Sequence, residues 1–125
     1  LAVWAWSFEA VNRMRENNHT IFSGSPRTEA EARMMDEACD FFDRKRVHPV
    51  YLSVDRKEAF RRLMERKRFD DTEEIINNRL DYFQTYVIPA VEYYRTQSKN
   101  KLVEIDGNPH DPQKIHEDIK KAIRL

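Results

Sequence analysis

The sequence predicts an α/β fold with a parallel sheet that helices cover on both faces. Three short apolar segments rich in β-branched and aromatic residues, at 19–23, 47–54 and 101–105, alternate with segments of helical period. The only two glycines, Gly24 and Gly107, each follow one of these segments, where an α/β chain turns from a strand toward a helix. Strands separated by helices require crossover connections, which pair the strands in parallel.

Two helices are predicted before the middle strand. The first carries apolar residues at helical spacing, namely Trp4, Phe8, Val11 and Met14. The second spans 28–42, and we expect its inward residues to be Met34, Met35, Ala38 and either Phe41 or Phe42.

Three more helices are predicted after the middle strand. Asp55 caps one that runs to about Arg66, and Asp71 or Thr72 caps a long one that runs to about Gln97 and should kink at Pro89. The last begins at Asp111-Pro112 and has on one face Ile115, Ile119, Ala122 and Ile123.

Composition limits the class of protein. The 125 residues fit a single domain, and 22 Lys and Arg residues balance 22 Asp and Glu residues, so no overall basic field favours nucleic acid. One cysteine, Cys39, excludes an internal disulfide, no CxxC or His/Cys spacing suggests zinc, and no apolar run could span a bilayer. We expect a cytoplasmic protein with no nucleic-acid, membrane or metal site, and we take the start at Leu1, without Met, as a fragment boundary.

The carboxyl edge of the predicted sheet is the expected ligand edge, because ligands of open parallel sheets bind there. The strands end at residues 23–27, 54–55 and 106–108, so both glycines and Arg27 should lie at this edge.

Arginines cluster in the two helices that follow the middle strand. Arg62 and Arg66 are one helical turn apart, Arg68 follows at once, and Arg79 lies in the next helix. A guanidinium donates paired hydrogen bonds to phosphate oxygens and keeps its charge when desolvated, so the cluster suits a phosphate site. On spacing alone, a solvated helix face paired with neighbouring carboxylates explains the same pattern, and this alternative stays open.

Three motifs, in order, resemble the adenylate kinase family of nucleoside monophosphate kinases. Residues 22–28 read FSGSPRT, residues 62–72 read RLMERKRFDDT, and residues 105–107 read IDG. After the second motif come Arg79-Leu80 and an aromatic series around Pro89, as in the region after the lid of that family. The resemblance covers nearly the whole chain from about Trp4. It implies a partial P-loop-kinase-like three-layer α/β/α core domain over 1–125, with a minimal lid turn at about 66–71 and without the N-terminal P-loop strand and helix.

The resemblance also implies roles for individual residues. Arg27, beside Gly24, would bind the acceptor phosphate, and Glu31 aligns with the position that reads the acceptor base. Arg68 and Arg79 would bridge the donor and acceptor phosphates, and Arg66 would reach the donor phosphates. Arg66, Arg68 and Arg79 are thus the expected catalytic residues, and the donor nucleotide would contact Arg62, Arg66, Gly107 and Asn108.

The chain also departs from the family pattern. It contains no GxxxxGK segment, so we expect it to be inactive by itself. Ser23 replaces an aspartate that would orient Mg²⁺ through water. Glu31 replaces a glutamine, and an ionised carboxylate only accepts hydrogen bonds, so the acceptor base is open.

The resemblance implies an ATP-dependent phosphotransferase as the intact parent. It would move the γ-phosphoryl group of ATP to a nucleoside monophosphate, AMP first, and give two diphosphates, with Mg²⁺ bound mainly through the nucleotide. We expect that parent to be monomeric. A non-catalytic nucleotide-binding or assembly module without the P-loop is the alternative, and an RNA-binding domain fits the zero net charge poorly.

Overall fold

The structure is a computed structural model that describes residues 2–14 and 18–124, and within the first helix the side chains of residues 5, 7–10, 12 and 13. The predicted apolar side chains of Trp4 and Val11 lie outside the described residues. The elements in chain order are α1 (Ala2–Arg13), α2 (Glu29–Phe41), β1 (Val50–Ser53), α3 (Arg56–Arg66), α4 (Glu73–Tyr82), a π-helical turn (Phe83–Val87), α5 (Ile88–Thr96), β2 (Val103–Asp106) and α6 (Pro112–Ile123). This order confirms the predicted α/β class.

In the described part of the chain, the sheet has two strands. β1 pairs with β2 in parallel, with Val50 opposite Val103 and Ser53 opposite Asp106. The ladder starts beside Pro49, which has no N–H to donate but accepts a hydrogen bond from the Val103 N–H (2.8 Å). The predicted parallel pairing is confirmed.

The strand predicted at 19–23 is not formed. Residues 18–23 have no regular secondary structure, and the Ile21 side chain is 91% exposed. A strand forms by backbone pairing with a neighbour, and both described strands pair with each other. An apolar pattern alone cannot supply that neighbour, so this prediction is wrong.

The helices begin where the sequence predicted, although the predicted cap Asp55 makes no side-chain capping bond at the start of α3. Thr28 accepts a hydrogen bond from the Glu31 N–H at the start of α2, and Asp111 accepts from the N–H groups of residues 113 and 114 at the start of α6. At α4 the capping residue is Thr72, whose Oγ1 accepts from the Ile75 N–H (3.3 Å). Asp71 therefore does not cap α4, and its carboxylate is available for other hydrogen bonds.

The predicted long helix is continuous but changes its winding before Pro89. Pro89 has no N–H, and the chain widens into the π-helical turn Phe83–Val87, where the Ile88 N–H bonds to the Phe83 carbonyl five residues back. The predicted kink thus takes the form of a local π turn.

Two apolar clusters flank α2. One joins Ala32 to Ala90, Tyr93 and Tyr94 of α5, and the other joins Cys39 to Ala10 and Met14. Phe42 packs against the second cluster, whereas Phe41 is 83% exposed. Met34 is also exposed, contrary to the prediction, because adjacent residues of a helix point about 100° apart and Met35 takes the buried direction.

Candidate functional site

A tight turn joins α3 to α4, with the predicted catalytic residues Arg66 at the end of α3, Arg68 in the turn and Arg79 in α4. α3 ends at Arg66, and the backbone of the next residue, Lys67, is left-handed (φ 51°). The N–H of Asp71 then donates to the carbonyl of Arg68 (3.0 Å). This short connection, in the segment predicted to be a lid turn, brings the end of α3 against the start of α4.

Asp71 holds two of the arginines together. Its carboxylate accepts from Arg66 Nε (2.9 Å) and Nη2 (2.8 Å) and from Arg79 Nη1 (2.8 Å), and it also accepts from the Arg68 N–H (3.2 Å). The Asp71 side chain is fully covered, whereas Arg66 and Arg79 are 33% and 41% exposed. The hydrogen bonds from Arg66 are the main reason that the pKa of Asp71 falls to about 2, and the same contact raises the pKa of Arg66.

Arg79 and Arg68 differ in how far carboxylates neutralise them. Arg79 also donates to Asp70 Oδ2 (2.6 Å). The guanidinium of Arg68 is exposed, and among the described residues it makes no ion pair or hydrogen bond. The turn therefore presents one uncommitted guanidinium beside two that share a carboxylate.

Arg62 and Asn108 meet at the carboxyl end of the sheet. Arg62 is half-buried, with Nε donating to Glu58 Oε1 (2.7 Å) and Nη2 to the carbonyl of Asn108 (2.6 Å). The Asn108 side chain in turn accepts from the Asp55 N–H (2.9 Å). Hydrogen bonds from Arg61 and Arg62 lower the pKa of Glu58 to about 2. Two residues predicted to contact the donor nucleotide are thus in direct contact.

Gly107 lets the loop after β2 approach β1 closely. Its N–H donates to the Ser53 carbonyl (2.7 Å), and a Cβ at this position would lie 2.7 Å from Val54 Cγ2. Only glycine fits without a shift of the neighbours.

Gly24, Arg27 and Glu31 form a third group, at the start of α2. Arg27 Nε donates to the Gly24 carbonyl (2.8 Å), and the Arg27 N–H donates to Glu31 Oε2 (2.6 Å). Gly24 has φ 79°, a conformation that favours glycine. The predicted acceptor residues are therefore linked by hydrogen bonds, although Glu31 is buried and engaged with backbone.

The structure thus arranges the predicted site residues as three hydrogen-bonded groups. The arginines of α3 and α4 are not all alike, because Arg61 is paired with Glu58 and Glu65 (2.5–2.8 Å), as the solvated-face alternative expects. Arg66 and Arg79 pair with Asp71 and Asp70 in the same way, so their pairing also fits that alternative, whereas the Arg68 side chain has no carboxylate partner in the described structure.

The sequence did not indicate that the Asp71 carboxylate joins Arg66 to Arg79, and it suggested only a helix cap or a countercharge at this position. The available signal was the position of Asp71 between Arg66 and Arg79, next to a threonine that can cap α4 instead. Sequence reasoning also missed buried Asp36, which accepts from Tyr93 Oη (2.9 Å), Ser98 Oγ (2.5 Å) and Asn100 Nδ2 (3.0 Å) and ties α2 to the segment after α5.

Among the described residues, no group of three or more His, Cys, Asp and Glu side chains could hold a metal ion. None of the helices described is long and apolar enough to cross a membrane.

Comparison with known proteins places this chain near one family. It is 34% identical over 119 residues to an adenylate kinase of Azobacteroides pseudotrichonymphae, covering 92% of this chain and 61% of that protein. It is 31% identical to an adenylate kinase of Oenococcus oeni (82% and 53%) and 30% identical to adenylate kinase 2 of Synechocystis (74% and 50%). The chain thus spans between half and about three-fifths of these relatives. No family model and no solved structure matches it.

Proposed function

Starting from its sequence relationship to the adenylate kinases, we propose that this chain is the arginine-bearing part of a nucleoside monophosphate kinase. The intact protein transfers the γ-phosphoryl group of ATP to a nucleoside monophosphate, with AMP the first candidate, and releases two diphosphates. The observation that carries the proposal is the shared carboxylate of Asp71, which holds Arg66 and Arg79 side by side next to the uncommitted Arg68.

This arrangement suits phosphoryl transfer. Charge spreads over the oxygens of the transferred group in the transition state, so positioned cations lower the barrier more than covalent chemistry does. Arg68 and Arg79 stabilise that charge, and Arg66 binds the donor phosphates. Because the partly exposed Arg66 and Arg79 are already fixed by Asp71, less side-chain freedom is lost when phosphate binds.

The other two groups bind the rest of the substrates. Arg27 binds the phosphate of the acceptor, and Gly24 lets the backbone approach it. Arg62 presents the flat face of its guanidinium to the donor base, with Asn108 and Gly107 forming the adjoining turn. Mg²⁺ enters as part of the ATP complex, as substrate.

The second candidate is a nucleotide-binding or assembly module without transfer activity. It is favoured by one observation, that these 125 residues contain only Gly24 and Gly107 and no GxxxxGK segment to cradle the β-phosphate. Both candidate functions include polyphosphate binding, so only an assay of phosphoryl transfer distinguishes them.

The binding test compares two arginines in similar settings. Arg79 and Arg95 are 41% and 42% exposed, and each pairs with two carboxylates, Asp70 and Asp71 in one case and Glu92 and Glu104 in the other. Calorimetric titration of the 125-residue chain with inorganic tripolyphosphate should show that Arg79→Ala weakens binding about tenfold or more, whereas Arg95→Ala changes it less than about twofold. Equal losses in both variants would mean that only overall charge matters.

The transfer test uses a coupled assay for nucleoside diphosphate formation. The 125-residue chain alone should show no turnover. In a protein that also supplies a phosphate-cradling loop, Arg79→Ala should lower the rate by about 10³–10⁵. The same change should alter the free energy of unfolding by only about 0–1 kcal/mol, because Arg79 is partly exposed. A large loss of stability with unchanged turnover per folded molecule would assign Arg79 a structural role.

A further inference from the structure

Glu31 occupies an unusual position for a residue expected to read a base. It lies in the first turn of α2 and is only 8% exposed. Its Oε2 accepts from the Arg27 N–H at 2.6 Å, a short distance typical of a charge-assisted hydrogen bond. Its own N–H donates to Thr28 Oγ1 (3.2 Å). The contacts form a variant of the capping box, in which the glutamate reaches back one residue beyond the cap.

This contact fixes the backbone of Arg27 while another fixes its side chain. Arg27 Nε donates to the Gly24 carbonyl (2.8 Å), so the guanidinium is fixed through Nε and not through its terminal Nη atoms. No carboxylate pairs with Arg27 among the ion pairs of the described residues, and the side chain is exposed. Arg27 is thus held at two points and keeps its terminal nitrogens available for an anion.

We propose that Glu31 is a positioning residue for Arg27 and does not read the acceptor base, so that this chain selects its acceptor through the phosphate group. The inference rests on the proposed function, in which Arg27 binds the acceptor phosphate. It differs from the base-reading role that the family resemblance implies.

The chemistry of the carboxylate supports this assignment. An ionised carboxylate only accepts hydrogen bonds, so it cannot donate to the ring nitrogen N1 of adenine. Because Oε2 is already engaged with the Arg27 N–H, an exocyclic amine would have only Oε1 to donate to, on a side chain that is buried in the first turn of α2. Acceptors with different bases, and a sugar phosphate with no base, should therefore bind about equally well.

The experiment separates positioning from simple helix capping with a matched variant. Glu31→Ala removes the contact to the Arg27 N–H, whereas Thr28→Ala removes the other cap of α2 and leaves that contact in place. Glu31→Gln keeps an oxygen that can accept from Arg27. Each form of the 125-residue chain is titrated, with NMR detection, with AMP, GMP, CMP and ribose 5-phosphate.

We expect the four ligands to bind the unmodified chain within about fivefold of one another. Glu31→Ala should weaken all four by about tenfold, whereas Glu31→Gln and Thr28→Ala should stay within about threefold of the unmodified chain. If Glu31→Gln changes the ratio of AMP to GMP affinity about tenfold and leaves ribose 5-phosphate unaffected, Glu31 reads the base. Equal losses in Thr28→Ala and Glu31→Ala would show that only the start of the helix matters.

Hydrogen exchange of the Arg27 amide provides a readout that needs no ligand. Its exchange should be about tenfold faster in Glu31→Ala than in Thr28→Ala. If the unmodified chain binds none of the four ligands, the proposed function fails, and selection through the phosphate fails with it. The exchange rate of the Arg27 amide still tests, independently of any ligand, whether Glu31 holds Arg27. Equal exchange in the two variants would overturn that contact.

Discussion

Replacing Gly107 by alanine tests how the loop after β2 meets β1. The added Cβ would lie 2.7 Å from Val54 Cγ2 and 3.1 Å from the Ser53 carbonyl oxygen. Ser53 belongs to the parallel ladder and already accepts a hydrogen bond from the Gly107 N–H. The backbone oxygen therefore cannot retreat without disturbing the sheet, and the Val54 methyl group has to shift as well.

Overpacking of this kind costs about 1–3 kcal/mol of unfolding free energy, and we expect Gly107→Ala to fall in that range. Val54→Ala removes the nearer of the two clashing atoms. The double variant should therefore be less destabilised than the sum of the single variants by at least about 0.5 kcal/mol. Some of the cost should persist, because the contact with the Ser53 oxygen remains.

The assay is urea unfolding followed by far-ultraviolet circular dichroism for both singles and the double. Gly24→Ala is the control, because at φ 79° it strains the backbone, but among the described residues its Cβ would approach only Arg27 Nη2, at an ordinary 3.5 Å. Gly24→Ala should not couple to Val54→Ala. A cost for Gly107→Ala below about 0.5 kcal/mol, or equal coupling for both glycines, would refute the steric reasoning.

Two further predictions concern buried carboxylates. The pKa of Asp71 falls from 3.8 to about 2 on folding, so its stabilisation is complete above about pH 4 and is lost as the pH falls through 2. The difference in thermal midpoint between the unmodified chain and Asp71→Asn should stay constant from about pH 5 to 8 and shrink below pH 4, and a constant difference down to pH 2 would contradict this. Asp36→Ala leaves the buried Tyr93 and Ser98 hydroxyls without their acceptor and should cost about 3 kcal/mol in urea unfolding. Asp40→Ala, which removes an exposed pair with Lys99, should cost about 0–1 kcal/mol, and equal costs would argue against the buried network.

Local sequence signals predicted the helix starts well. Thr28 and Asp111 lie at the predicted helix starts and cap them, because a capping side chain acts on N–H groups only two or three residues away, whereas Asp55 begins α3 without a side-chain capping bond. Pro89 likewise perturbs the winding of its own helix, although the sequence did not indicate that the change would be a π turn.

Choices between neighbouring residues were less predictable. Either Phe41 or Phe42 could have packed inward, and either Asp71 or Thr72 could have capped α4. Packing against the second apolar cluster selected Phe42, and hydrogen bonds from Arg66 and Arg79 placed Asp71 in an ion-pair group. Such choices depend on partners that are distant along the chain, so periodicity and capping preferences leave them open.

The sequence by itself determined the α/β class, the order of the helices and of the two strands that form, and the arginines and glycines of the motifs, because these follow from periodicity, turn residues and motif spacing. The expected place of Gly24 and Arg27 at the carboxyl edge of the sheet depended on a strand at 19–23, which does not form. Only the tertiary structure decided that residues 18–23 form no strand, that Asp71 joins two arginines and that Glu31 bonds to Arg27. Strand pairing and hydrogen bonds depend on distances of a few ångströms and on what else competes for each donor. Those distances are set only when the whole chain has packed.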